Sequence, residues 1–341
     1  MRKGRNPAKS KQNNQVENTC FHQVIVPVYL PELEGYYKDG LEILKLCIES
    51  IYLTTHEETF ISVINNGSCK EVKNYLDKCL EENKIHEIIH TAAIGKLNAI
   101  AKGLSGHNFE LVTITDADVL FINGWQKAVY GIYQTFPKAG MVGTTPNSKM
   151  LKHFTEKVHF DNLFNKNFKF RKVKNPDDMF SFGKSIDNLA IFQEVHLKNI
   201  LTIKKDDTIA VVGSGHFTGT YRTDLLKDAF NKYTSDLISP ESDRIYLDKS
   251  SVKNGHWRLC TYDNFTYHLG NIKEDWMISK LKNIPKTQIN ELRNPISEHK
   301  SKNCFYCILA QYIVRKIFFN KYLRKYYYQY LGLKKHEAQI Y

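Results

Sequence analysis

The stretch LVTITDADVLF, Leu111 to Phe121, decides how the chain is read. Five apolar and β-branched residues have the make-up of a buried strand. They end in two carboxylates, Asp116 and Asp118, with one alanine between them. In fully extended chain such a pair points to opposite faces, but at a strand's end the chain turns and both can converge. Left alone they repel, so a cation is the natural partner. Oxygen ligands favour Mg²⁺ or Mn²⁺, ions that bridge protein carboxylates and substrate phosphates. The competing reading has both aspartates capping the next helix.

Working outward, VIVPVY (24–29), FISVIN (60–65) and IHEIIH (85–90) are three further short apolar runs. Helical spacing separates them: Leu41, Leu44, Ile48 and Ile51, then Val72, Tyr75, Leu76, Cys79 and Leu80, then Leu97, Ile100, Ala101 and Leu104. The order βαβαβαβ predicts an α/β fold, a mostly parallel sheet flanked by helices. Ligands of such sheets bind beyond the carboxyl ends of the strands. After Gly143 the periodicity weakens. Residues 146–205 read as irregular, aromatic and basic with two helices, TIAVVGSG (208–215) as a strand and RTDLLKDAF as a helix. RLCTYD (258–263) and FTYHLG (265–270) read as an extended pair.

The 341 residues carry a net charge of +12, and its placement is informative. Residues 1–24 hold +4 and residues 301–341 hold +7, so the body between is nearly neutral. A nucleic-acid enzyme lays positive charge along its groove, so no nucleic-acid partner is expected. Basic ends suit an anionic membrane surface, and solvated tails explain them equally. No apolar run reaches the ~18 residues of a membrane span. MRKGRNPAKSKQNNQ at the start lacks the apolar core of a secretory signal, and a cytoplasmic location is expected. Seven irregularly spaced cysteines fit reduced thiols.

Several pieces in order resemble the family-2 glycosyltransferases, whose nucleotide-sugar-binding fold is called GT-A, over roughly Val24 to Asn271. VIVPVY looks like that family's first strand. VINNGS (63–68) looks like its second strand-end motif, where the family usually has aspartate in the place of Asn65. GKLNAIAKG (95–103) is similar to the segment over the nucleotide, TDADV to the D-x-D, and GHWRLCTYDNFTYHLGN (255–271) to the closing segment.

The resemblance implies a GT-A type, Rossmann-like fold and inverting transfer from a nucleotide-sugar donor. The acceptor would be a saccharide, possibly lipid-linked, in surface polysaccharide or glycan synthesis. Asp118, Asp116 and His268 would hold Mn²⁺ or Mg²⁺. Pro27, Tyr29, Asn65, Asn66, Lys96 and Asn98 would line the donor pocket with Asp116, and an asparagine at 65 leaves the base open. The family's base precedes the closing segment. Counting back from Gly255 places it near Arg244, and Asp243, with Glu241 in reserve, is the expected base. The implied organisation is a basic disordered arm (1–22), a nucleotide-sugar-binding half (23–145), an acceptor-binding half (146–280) and a basic, aromatic helical extension (281–341).

Other motifs point elsewhere. HEIIH (86–90) matches a zinc-peptidase pattern, which needs His86 and His90 on one helix face with Glu87 between. As a strand, the slot would separate the two histidines by ~13 Å at ~3.3 Å per residue, too far for one zinc. Cys304 and Cys307 form a lone C-x-x-C within a helix, short of a four-ligand zinc site. GSGHFTG (213–219) lacks the Lys-Ser/Thr ending of a phosphate loop; in the resemblance His216 lies where donor sugar and acceptor meet. Residues 304–335 interleave aromatics with Arg315, Lys316, Lys321, Arg324 and Lys325 and contain no acid. Such a segment suits peripheral attachment at lipid headgroups, with packing of Ile308 to Phe319 on the core or on a second subunit as the alternative. The departures at Asn65 and Arg244 also fit a GT-A-like module that binds nucleotide-sugar or glycan without catalysis.

Overall fold

The computed structural model describes residues 20–227, 229–230, 243–287, 296 and 304–341. Most of the arm expected at 1–22 lies outside them. The strands are β1 (His22–Val28), β2 (Thr59–Asn66), β3 (Glu87–Thr91), β4 (Leu111–Thr115), β5 (Val119–Phe121) and β6 (Ala139–Gly143). They continue with β7 (Phe168–Lys172), β8 (Asn199–Lys205), β9 (Thr208–Val212), β10 (Thr218–Arg222), β11 (Trp257–Thr261) and β12 (Thr266–His268). The helices that matter to the site are α1 (Gly40–Thr54), α2 (Lys70–Glu81), α3 (Lys96–Leu104), α4 (Trp125–Thr135) and α5 (Pro176–Ser185), and the C-terminal region adds α6 (Cys304–Ile313), α7 (Arg324–Tyr330) and α8 (Lys335–Ile340).

Ten strands form one sheet in the order β3-β2-β1-β4-β10-β6-β11-β9-β8-β7. The first four are parallel neighbours, as the βα alternation predicts. β10 runs antiparallel between β4 and β6, and the far edge is an antiparallel meander of β9, β8 and β7. Following the pairings across, seven of the ten strands share one direction. The architecture is an α/β fold with a mostly parallel sheet flanked by helices, as expected.

Burial explains why the first half was readable. Val24, Val26 and Val28 face the same core as Leu44, Ile48 and Ile51 of α1, Val72 and Leu76 of α2, and Val129 of α4. Ile25 and Ile64 meet Leu97 and Ile100 of α3 on the other side. Trp125 is fully buried and its indole N–H donates to Thr54 Oγ1 at 3.2 Å, tying α4 to α1. The turn after β2 needs its glycine: at Gly67, with φ +82°, a Cβ would meet Ala93 N at 2.7 Å.

Two expectations need correction, and the packing of the C-terminal region is one of two alternatives. Residues 146–205 contain strands β7 and β8, hidden because Phe168 and Phe170 alternate with exposed or half-buried Lys169 and Arg171 at a sheet edge. RLCTYD and FTYHLG are both extended but do not pair with each other; β11 joins the main sheet, whereas β12 pairs with β5. The C-terminal region is in part core: Tyr327, Tyr328, Leu331, Leu333 and Tyr341 are buried, and the Tyr341 hydroxyl donates to Ser148 O at 2.9 Å. The outer face of α6 is exposed at Tyr306, Ile308 and Tyr312, while Ala310 and Val314 point inward. Among the described residues no helix is long and apolar enough to cross a membrane. The six cysteines with described side chains are free thiols.

Candidate active site

The carboxyl ends of β1, β2 and β4 form one rim. β4 ends at Thr115, and Asp116 extends its ladder by donating its N–H to Phe217 O at 2.8 Å. The chain then turns through Ala117 and Asp118 into β5. β12 pairs antiparallel with β5, with His268 opposite Val119, and Leu269 N–H donates to Asp118 O at 2.7 Å. This clasp brings His268 Nε2 to 3.4 Å from Asp118 Oδ2. Ser185 Oγ, at the end of α5, holds the other ring nitrogen at 3.0 Å.

Asp116 is paired with a lysine. Its Oδ1 lies 2.6 Å from Lys96 Nζ, which is also 3.5 Å from Asp243 Oδ2. Burial alone would lower the Lys96 pKa; the Asp116 and Asp243 charges outweigh it and raise it, so the group stays an ammonium. Lys96 opens α3, where the sheet-facing Leu97 and Ile100 fix the helix and aim its first residue at the rim.

Two cavities meet here. One, of about 280 Å³, is lined by Pro27, Tyr29, Asn66, Lys96, Asp116 and Asp118 among others. The second, of about 300 Å³, shares Lys96 and Asp116 and adds His216, Asp243 and His268. Its apolar lining includes Phe182 and Phe217, whose rings stack at 5.4 Å. A larger cleft of about 520 Å³, beside Lys138 and Trp257, shares no residue with either.

Whether a divalent ion fits can be read from Asp118. Its Oδ1 is shut off from solvent with no hydrogen-bond partner, although the side chain as a whole remains 34% exposed. Burial raises the Asp118 pKa; His268 opposes that shift and Asp116 adds to it. An orphaned carboxylate oxygen beside an imidazole is a hard-cation half-site. The third expected ligand is missing from it. Among the described residues no three acidic, His or Cys side chains form a ligand group, and Asp116 is paired with Lys96 instead.

The other expected residues divide. Pro27, Tyr29, Asn66 and Lys96 line the first cavity, and Asp243 lines the second. Asn65 and Asn98 do not line the first cavity: Asn65 Oδ1 accepts from Ser68 N–H at 3.0 Å and its amide group contacts His90 Nδ1 at 3.0 Å, while Asn98 donates to Ile94 O at 2.8 Å. Glu241 lies outside the described residues. Asp243, one position before the count from Gly255, is the acid that faces the second cavity. Arg244–Asp248, which follows it, is a π-helical turn.

The zinc-peptidase reading fails on geometry. β3 is a strand, His86 Nδ1 accepts from Ile61 N–H at 3.0 Å, and His90 Nε2 pairs with Asp77 at 2.7 Å. Sequence reasoning overlooked Asp248 and Arg258, which lie behind His216. The available signal was an arginine inside the apolar strand WRLCT, a charge that folding must pair.

Solved structures similar to this chain are distant. Crystalline S. aureus TarS 1-349 is 14% identical, with TM-score 0.43, covering 72% of this chain and 59% of its own. Mannosyltransferase PcManGT from Pyrobaculum calidifontis, in complex with GDP-Man and Mn²⁺, is 13% identical, with TM-score 0.42, covering 76% and 59%. The chain therefore spans about three-fifths of those structures' length. No curated protein matches the chain. The model of one family, described as glycosyl transferase family 2, matches residues 24–196. With the match spanning half of its length, from β1 past the Asp116–Asp118 turn, the chain belongs to glycosyl transferase family 2.

Proposed function

We propose that the protein is an inverting glycosyltransferase that uses Mn²⁺ or Mg²⁺ and moves a sugar from a nucleotide-sugar donor to a saccharide acceptor, lipid-linked acceptors included, in surface polysaccharide or glycan synthesis. The observation that carries this reading is the junction of the two cavities at Asp116 and Lys96, with Asp118–His268 lining it and Asp243 on the acceptor side. Residues 23–145 then form the donor half and 146–280 the acceptor half.

In this reading Tyr29, Pro27 and Asn66 flank the nucleoside, and the Lys96 ammonium meets the diphosphate as a charge-assisted partner. Asp118 and His268 would hold the divalent ion, which makes the diphosphate a better leaving group by neutralising its charge. Asp243 takes the acceptor's hydroxyl proton as that oxygen attacks. Attack from the side away from the diphosphate inverts the anomeric carbon.

Thermal-shift screening of nucleotide sugars with and without Mn²⁺, followed by diphosphate release from the donor that stabilises, tests the reading. A ligand at 100 times its Kd adds roughly 2.7 kcal/mol. No stabilisation by any nucleotide sugar, with or without the ion, would sink it. The Lys96–Asp116 ion pair, which leaves two residues for a cation, favours a second reading: a binding module without turnover. Its signature is donor binding with no diphosphate release, unchanged by Asp243→Asn.

The exposed aromatic and basic face of residues 304–335 supports a further part of the proposal, peripheral contact with the cytoplasmic face of a membrane.

A further inference from the structure

Four side chains run in series from the core to the second cavity. Arg258 on β11 is 1% exposed. Its Nη2 donates to Ser214 O at 2.6 Å, and its Nη1 lies 2.9 Å from Asp248 Oδ1, off the hydrogen-bond line. Asp248 closes the π-helical turn and turns its other oxygen, Oδ2, to His216 Nδ1 at 3.3 Å. His216 Nε2 then stands 3.8 Å from Asp243 Oδ2. A buried guanidinium fixes the carboxylate, and the carboxylate fixes the imidazole with its proton on Nδ1. The Nε2 lone pair is left facing the cavity and Asp243.

The groups facing His216 are Asp248 and Asp243 from the π-helical segment and Lys96 from α3, with Arg258 behind Asp248. Its pKa is raised: the Asp248 hydrogen bond leads, burial opposes, and the Asp248 and Asp243 charges add while Lys96 subtracts.

Resting on the reading of Asp243 as the base, we infer that His216 is the second proton carrier of the transfer. As the acceptor oxygen bonds the anomeric carbon, the carbon–oxygen bond to the diphosphate breaks and its electron pair leaves with the phosphate. The hydroxyl proton passes to Asp243 Oδ2 and from there to His216 Nε2. Asp243 is again a carboxylate, the imidazolium is held by Asp248, and the 38% exposed ring returns the proton to solvent.

The test measures diphosphate release from UDP-glucose, UDP-N-acetylglucosamine and GDP-mannose, with water as acceptor, from pH 5 to 9. In the wild type kcat rises through the region above pH 6.5, as neutral His216 forms. His216→Gln lowers kcat roughly tenfold, less than the ~100-fold or more of a sole acid–base group, and moves the acidic limb to lower pH. KM and UDP affinity stay unchanged. Asp248→Asn keeps an acceptor for Nδ1–H but removes the charge, and moves the limb the same way. A His216→Gln protein with wild-type kcat and limb overturns the inference while leaving the transferase reading intact, and so does a kcat loss accompanied by lost UDP affinity. A wild-type protein that releases no diphosphate from any donor ends both.

Discussion

Lys96 Nζ lies 2.6 Å from Asp116 Oδ1 and stands where the two cavities join. One ammonium thus holds one of the paired aspartates and, at 3.5 Å, approaches the expected base. A diphosphate in the first cavity offers that ammonium a denser negative charge than either carboxylate.

Lys96→Met is therefore expected to weaken UDP binding by about tenfold or more, because a hydrogen bond to a charged group contributes ~1.5–3 kcal/mol. Calorimetric titration checks it. Wild-type affinity in the variant would mean that the lysine serves only to hold Asp116 and Asp243.

Asp118→Asn removes the charge of the carboxylate whose Oδ1 has no partner. Mn²⁺-dependent stabilisation should vanish, and turnover should drop by at least roughly 100-fold, since a Lewis-acid cation supplies several kcal/mol. The melting temperature without metal should hold or rise, since Asp118 Oδ1 is closed off from water with no partner. His268→Ala should lose the metal response too. A retained Mn²⁺ shift in both would place the ion elsewhere.

The two faces of the C-terminal region separate in their effects. Tyr328 is fully buried, and Tyr328→Ala should cost about 3–5 kcal/mol, as large aromatic truncations do. Ile308→Ser and Tyr312→Ser on the 60% and 64% exposed positions should change stability by less than about 0.5 kcal/mol while reducing flotation with anionic vesicles. Cutting the chain near Lys300 would remove core residues as well, so point substitutions are the informative comparison. Undiminished flotation of the double variant would count against membrane contact.

Buried histidines set an acid limit. Burial lowers His56 and His159 to about 4, and His22 well below its usual value. His159 is wedged between Tyr327 O–H and Leu151 O at 2.8 and 2.9 Å. Below roughly pH 6.5 the unfolded chain takes up protons that the native one refuses. Stability should then fall as pH drops from 6.5 towards 4 and be fully present above that window. Melting temperatures across it should decline, and less steeply in His159→Gln; an identical slope would remove His159 as a cause.

The four parallel strands and three intervening helices were legible because β1, β2 and β4 are sealed on both faces and α1–α3 bury one stripe each, so composition and periodicity report them directly. β7 escaped because Lys169 and Arg171 break its apolar run at the sheet edge. Of the residues around the two cavities, Asp116 and Asp118 stood out in the strand-end sequence, whereas Lys96 and Asp243 were named only through the family resemblance. The inward turn of Asn65 was legible in neither, because it depends on Ser68 and on His90 from the neighbouring strand.

Local order of residues determined the sheet's first half, its helices and the identity of the acids at the rim, since each of these is set by neighbours a few positions away. Only the folded chain decided which acid meets which base: the β5–β12 register gives Asp118 to His268, the start of α3 gives Asp116 to Lys96, and a π-helical turn gives His216 to Asp248. Those partners come from distant segments, and charges pair by distance in space, which no spacing along the chain encodes.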